Sequence, residues 1–219
     1  MRRPGFTLWL AWVGAGALGA ALATSATQPG SEFFGDTRAS YWVPIVLAAP
    51  LAVLQFLVLR GLVGVSVVAA GTWVGLTLVA SAASILAISG WYFVVPQLLS
   101  RAFIPIETGM DIMFTGGDYI NPLLLGLAQG VVLAWVFGRP LIAAGWVVIN
   151  LVAYAVSLHL SIIVLTALRL DLGTGAAGFV LPRVAIGAFY AAVTGLALVA
   201  ILRMRAPVSS APQLSRSAG

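Results

Sequence analysis

The chain has 219 residues, 61% of them hydrophobic and only 8% charged, far from the roughly half-apolar, quarter-charged make-up of soluble domains, and this excludes a water-soluble globule. Its eleven basic residues are all Arg, set against six acids for a net charge of +5, and they are scattered singly between apolar runs, which excludes the clustered basic face of a nucleic-acid binder. Without Cys there is no disulfide, thiolate nucleophile or Cys-ligated metal, and a single His precludes a multi-His site within one chain.

Crossing a hydrocarbon core of roughly 30 Å takes about 20 predominantly apolar residues. Six stretches qualify: 6–26, 41–59, 62–88, 119–137, 141–168, and a last one beginning at Ala176 or Arg183 and ending at Leu202. The first also fits a secretory signal, with Arg2 and Arg3 before it and Ala21-Leu22-Ala23 as an A-x-A triplet. It reads as a span because it outruns a usual signal core, and because Gly14, Gly16 and Gly19 give it a small-residue packing face. The second and third spans turn tightly at 61–64, the fourth and fifth at 138–140. Between the third and fourth lies the longest connection, 89–118, opening with Trp91, Tyr92 and Phe93; it predicts a segment lying in the membrane interface on aromatic anchors. Glu107, Asp111 and Asp118 read there as solvated acids rather than a calcium site, and this surface is the first choice for docking a partner or covering a cavity. Gly173-Thr174-Gly175-Ala176-Ala177-Gly178 spells G-x-G-x-x-G but lacks the preceding strand that a dinucleotide site needs. Residues 1–205 form one six-span domain, and 206–219, rich in Ser, Pro and Ala, predicts a disordered cytoplasmic tail.

With the N-terminus cytoplasmic, Arg2, Arg3, Arg60, Arg139, Arg203, Arg205 and Arg216 fall inside with no acid. Arg38, Arg101, Arg169 and Arg183 fall outside with all six acids, so the charge divides into +7 and −2. The excess of basic residues favours cytoplasmic N- and C-termini.

The chain also repeats itself. At an offset of 74, Gln55 matches Gln129, Val58 and Leu59 match Val132 and Leu133, and Ala69-Ala70-Gly71 matches Ala143-Ala144-Gly145. A one-residue deletion then pairs Trp73 with Trp146, Thr77 with Asn150, Ser81 with Tyr154 and Ser84 with Ser157. Both copies, about 41–88 and 119–168, run out, turn and return in the same sense, so they read as parallel repeats within an all-α six-helix membrane bundle. This pattern of Gln-x-x-Val-Leu, then Ala-Gly and Trp on the returning helix, with a last span carrying Gly187, Ala191, Gly195 and Leu196, resembles uncharacterised bacterial polytopic membrane proteins built from repeated Gln-containing hairpins. It departs from them at Ala134, where the first copy has Arg60, and at Phe56 and Gly130, where Trp would follow Gln. The resemblance implies architecture and a bacterial inner-membrane location, and no activity.

The six predicted spans hold no Asp or Glu, which argues against ion coupling and intramembrane aspartyl proteolysis, and the absence of Lys excludes a retinal Schiff base. What remains is neutral. Thr77, Ser81 and Ser84 on the third span, and Asn150, Tyr154, Ser157 and Ser161 on the fifth, form helical stripes that face protein, either as interhelical bonds or as the lining of a cavity. Gln55 and Gln129 fit the same two readings; Gln129 lies within Gly126-x-x-x-Gly130, and Gly71-x-x-x-Gly75 predicts a matching groove. His159, about 180° around the helix from Asn150, is a candidate ligand for a porphyrin or chlorin pigment. No other cofactor and no metal is implied. The sequence therefore points to a non-enzymatic accessory or scaffold subunit that meets the lipid bilayer and other membrane subunits. The alternatives are a carrier or binding protein for an apolar or zwitterionic small molecule or lipid, and a pigment-binding subunit using His159.

Overall fold

In a medium without water every backbone N–H and C=O must be satisfied within the chain, so long apolar runs become helices. The computed structural model describes residues 5–26, 43–168 and 176–204, and every regular element in them is helical. These elements are α1 (Phe6–Ala26), α2 (Val43–Val58), α3 (Val67–Arg101), α4 (Ile106–Phe137), α5 (Leu141–Ala167) and α6 (Ala176–Arg203). Pro50, Pro96, Pro122 and Pro182 lie inside helices, as apolar bundles tolerate. Each helix packs against its chain neighbours, and α1 packs against α6, so the six close into a ring.

The two tight turns fall where expected. A π-helical turn, Leu59–Val63, leads to Gly64 at φ 74°, and the Ser66 hydroxyl then caps α3 by accepting from the Ala69 N–H at 3.2 Å. Gly138, at φ 65°, closes α4 in the left-handed conformation that favours glycine.

Five stretches are long and apolar enough to cross a membrane: Phe6–Thr24, Val67–Arg101, Ile106–Phe137, Leu141–Ala167 and Val180–Arg203. The predicted second span corresponds to α2 and the π-helical turn that continues it, residues 43–63, which reaches about 30 Å at roughly 1.5 Å per residue, and its stretch Ala48–Val63 is apolar. It sits between α1 and α3, with Ala52 and Gln55 buried.

The predicted interfacial loop 89–118 is corrected. α3 continues to Arg101 and α4 begins at Ile106, so the segment is two long helices joined by a short turn. Here the aromatics pack on glycines of the facing helix: Trp91 lies over Gly116 and donates to the Met113 carbonyl at 2.8 Å, and Tyr92 lies over Gly117. Glu107, Asp111 and Asp118 therefore belong to α4, and all three are exposed.

Small residues set the closest helix approaches. A Cβ on Gly16 of α1 would lie 2.7 Å from the Gly187 carbonyl oxygen of α6, and one on Gly130 of α4 would lie 2.8 Å from the Ala143 carbonyl oxygen of α5. The expected groove at Gly71 and Gly75 is not formed, because both face open space on α3, and Gly14 likewise contacts nothing. Arg2, Arg3, Glu32, Asp36, Arg38, Arg169, Asp171, Arg205 and Arg216, the 173–175 part of the glycine motif, and the expected tail 206–219 lie outside the described residues.

Gly130→Ala is expected to force α4 and α5 apart and destabilise the bundle by about 1–3 kcal/mol. Gly71→Ala, into open space, is expected to be neutral or to stabilise by up to about 1 kcal/mol. Thermal unfolding of the purified protein in mild detergent distinguishes the two; equal effects would contradict this packing.

Candidate functional site

Three indoles occupy the centre of the ring near the end that carries Arg60, Arg139 and Arg203. Trp12, Trp73 and Trp146 are fully buried, with Trp12–Trp73 and Trp73–Trp146 in edge contacts at 5.9 and 6.2 Å between ring centroids. Leu59, Leu133 and Leu198 belong to the same cluster. Buried indole N–H groups need acceptors, and each finds one on an adjacent helix. Trp73 donates to Gln55 Oε1 at 3.1 Å, Trp146 to Gln129 Oε1 at 3.3 Å, and Trp12 to Thr194 Oγ1 at 3.0 Å.

From these pairs the hydrogen bonds continue around the ring. Gln129 Nε2 donates to Thr77 Oγ1 at 3.3 Å, tying α4 to α3. The Tyr190 hydroxyl donates to Asn150 Oδ1, tying α6 to α5, while Asn150 Nδ2 donates to the Trp146 carbonyl at 2.7 Å. Thr194 donates to the Tyr190 carbonyl at 3.0 Å, and Trp9 donates to the Ala192 carbonyl at 2.9 Å. Between α1 and α2 the fit is a backbone approach instead, Gly19 against Leu51.

Beyond the indole layer the interior turns small and polar, with Thr24, Ser81, Ser84, Ser157 and Ser161 buried. The serine hydroxyls bond carbonyls of their own helices: Ser81 to Thr77, Ser84 to Ser81, Ser157 to Tyr154 and Ser161 to Leu158, at 2.7–2.9 Å. Tyr154 is half-buried and packs edge-on against Tyr119 at 5.5 Å. Asn121 Oδ1 on α4 is buried without a hydrogen-bond partner.

Of the sequence-derived candidates, Gln55, Thr77, Gln129 and Asn150 meet in or beside this belt. Ser81, Ser84, Ser157 and Ser161 lie in the small-residue half. His159 joins neither: it is exposed, with Nδ1 2.7 Å from the Ala155 carbonyl one turn earlier. Trp12, Tyr190 and Thr194 escaped the sequence reading. Trp12 carries no distinctive local signal, since the Trp-Val pair it shares with Trp73 and Trp146 also occurs at Trp42 and at the exposed Trp135. Among the described residues no group of His, Asp or Glu could hold a metal ion, and the fully buried polar side chains are Thr, Ser, Gln and Asn. Neither protein-family models, nor curated proteins, nor solved structures match this chain.

Gln129→Leu strands the Trp146 N–H and is expected to cost about 1–3 kcal/mol. With Trp146→Phe in the same chain the costs should add to less than their sum, by about 0.6–1.7 kcal/mol. A double-mutant unfolding cycle measures this, and strict additivity would show the bond to be energetically idle.

Proposed function

We propose that the chain is a non-enzymatic accessory or scaffold subunit of a membrane complex, docking its partner through the outward end of the α3–α4 hairpin. The observation that supports this is the length of that hairpin together with its surface. At about 1.5 Å per residue, the 35 residues of α3 and 32 of α4 span roughly 52 and 48 Å, against about 40 Å for the 27 of α5. Roughly 10 Å of the hairpin therefore extends beyond the other described helices. Trp91, Tyr92 and Tyr119 sit at a level suited to an interfacial aromatic belt, with the excess length beyond them. There Phe93, Leu98, Phe103 and Ile106 are all exposed, Phe103 at 94% and Ile106 at 81%. Large apolar side chains exposed outside the hydrocarbon suit a contact site. The hairpin is braced for that role by Trp91 on Gly116, Tyr92 near Phe114, and Leu99 on Gly109.

Two finer assignments belong to the same reading. The end bearing Arg60, Arg139 and Arg203 faces the cytoplasm by the positive-inside rule, in a bacterial inner membrane, so the hairpin projects outward. The α2–α3 and α4–α5 hairpins are copies of one unit, which accounts for Trp73 on Gln55 and Trp146 on Gln129. In both, a small buried residue, Ala52 or Gly126, lies three before Gln and a buried Leu four after it. α6 and α1 follow the same rule with the chain order permuted: Ala191, Thr194 and Leu198 on α6, and Trp12 on α1.

Extracted from its native membrane in mild detergent, the protein is expected to migrate in an assembly larger than one chain. Phe93→Asp combined with Ile106→Asp should release it as a monomer with its helical content unchanged. Migration of the unaltered protein as a lone monomer would remove the support for this function.

A further inference from the structure

A cleft of about 540 Å³ opens where the α4–α5 turn meets the end of α6, within the roughly 300–1,000 Å³ range of ligand sites. Ile142, Gly145 and Ile149 of α5 form one wall, Ile201 and Met204 at the end of α6 the other, and Arg139 stands at the mouth. From Leu141 to Ile149 the α5 wall descends about 12 Å. The slot is therefore apolar along its length and carries a permanent cation at one end.

Its shape depends on Gly145. A Cβ there would meet nothing within 4 Å, so the missing side chain leaves room in the cleft rather than admitting a neighbouring helix. Among the described residues the charge around it has one sign. Arg139 is exposed, Arg203 immediately precedes Met204, and the described carboxylates, Glu107, Asp111 and Asp118, lie in the opposite half of α4. Asp118 and Arg139 are 21 positions apart in the chain, about 30 Å along the helix direction.

An apolar groove ending at a cation is complementary to an amphiphile with hydrocarbon at one end and an anion at the other. We propose that this cleft binds one anionic glycerophospholipid, its phosphate and headgroup at Arg139 and an acyl chain along Ile142, Gly145 and Ile149. The proposal rests on insertion of the helices in a bilayer and is independent of partner docking by the α3–α4 hairpin. Any phospholipid chain fits the groove; Arg139 supplies the preference for net negative headgroups, worth about fivefold for one Arg near a membrane surface.

The test uses the full chain, purified in mild detergent and given equimolar phosphatidylglycerol and phosphatidylcholine with identical acyl chains. Bound lipid is counted by native mass spectrometry. Retention of phosphatidylglycerol by about fivefold or more is expected. Arg139→Gln should abolish that preference, and Gly145→Leu, whose side chain enters open space, should reduce retention of both lipids. Arg60→Gln, at the same end but bonded to the Val65 carbonyl away from the cleft, should leave the preference intact. Equal retention of the two lipids by the unaltered protein overturns the site. So does full retention by Gly145→Leu, or a loss in Arg60→Gln as large as in Arg139→Gln. Alkaline extraction of the expressing membranes is read separately: release of the protein overturns membrane insertion itself, whereas retention with unselective lipid binding overturns only this cleft.

Discussion

An indole N–H buried where no water can reach it must be given an acceptor, and this protein buries three at one level. Trp12, Trp73 and Trp146 each take theirs from a neighbouring helix, so each indole fixes the axial position of one helix pair: α1 with α6, α2 with α3, and α4 with α5. Sliding one helix along its partner by a residue would move donor and acceptor about 1.5 Å apart axially and swing them about 100° around the helix. The edge contacts among the indoles then link the three pairs to one another. In hydrocarbon, where burial of apolar surface supplies little drive for helix association, such contacts and close packing must hold the bundle together. Gln129 extends the scheme by serving two helices at once, accepting from Trp146 with its carbonyl and donating to Thr77 with its amide.

The interior on the far side of this layer follows a different rule. Its hydroxyls turn back onto carbonyls of their own helices, which satisfies them without requiring a partner across the interface. Small side chains can then line the ring without leaving their polar atoms unpaired. Farther still, the α3–α4 pair extends past the other described helices and is held by aromatic rings on its own glycines. The protein thus passes from a hydrogen-bonded aromatic layer, through a small-residue section, to a two-helix projection.

Much of the apolar architecture was legible because it follows from length and composition: a helix at each of the six expected spans, both glycine turns, and the Gln and Trp residues at repeated spacing. The α3–α4 projection was not. Residues 89–118 combine aromatics, Pro96 and the Gly116-Gly117 pair, features that locally read as a loop. Their helical state depends on Trp91 and Tyr92 meeting those glycines across the hairpin, a pairing that no local window contains. Gly71 and Gly75 erred in the opposite direction, since a spacing that permits close approach does not say whether a helix approaches. Tyr190 and Thr194 were missed because their roles exist only once α6 closes on α5 and α1; their own helix offers no periodic polar stripe to mark them.

The placement of charge constrains how the two ends of the molecule can influence each other. Among the described residues no buried side chain is a carboxylate or an imidazole, and Asn, Gln, Ser and Thr, with the Tyr190 hydroxyl on Asn150, carry the buried polarity. Among the described residues this interior thus offers an ion no buried carboxylate or imidazole, and bringing a charge into it would require several kcal/mol of desolvation. Helix position is the physical link between the Arg-bearing end and the carboxylate-bearing hairpin. Helix position is what the indole bonds fix. α3 bears Trp73 near one end and Trp91 in the projecting hairpin, so a displacement of that hairpin must bend α3 between them or strain the bond from Trp73 to Gln55.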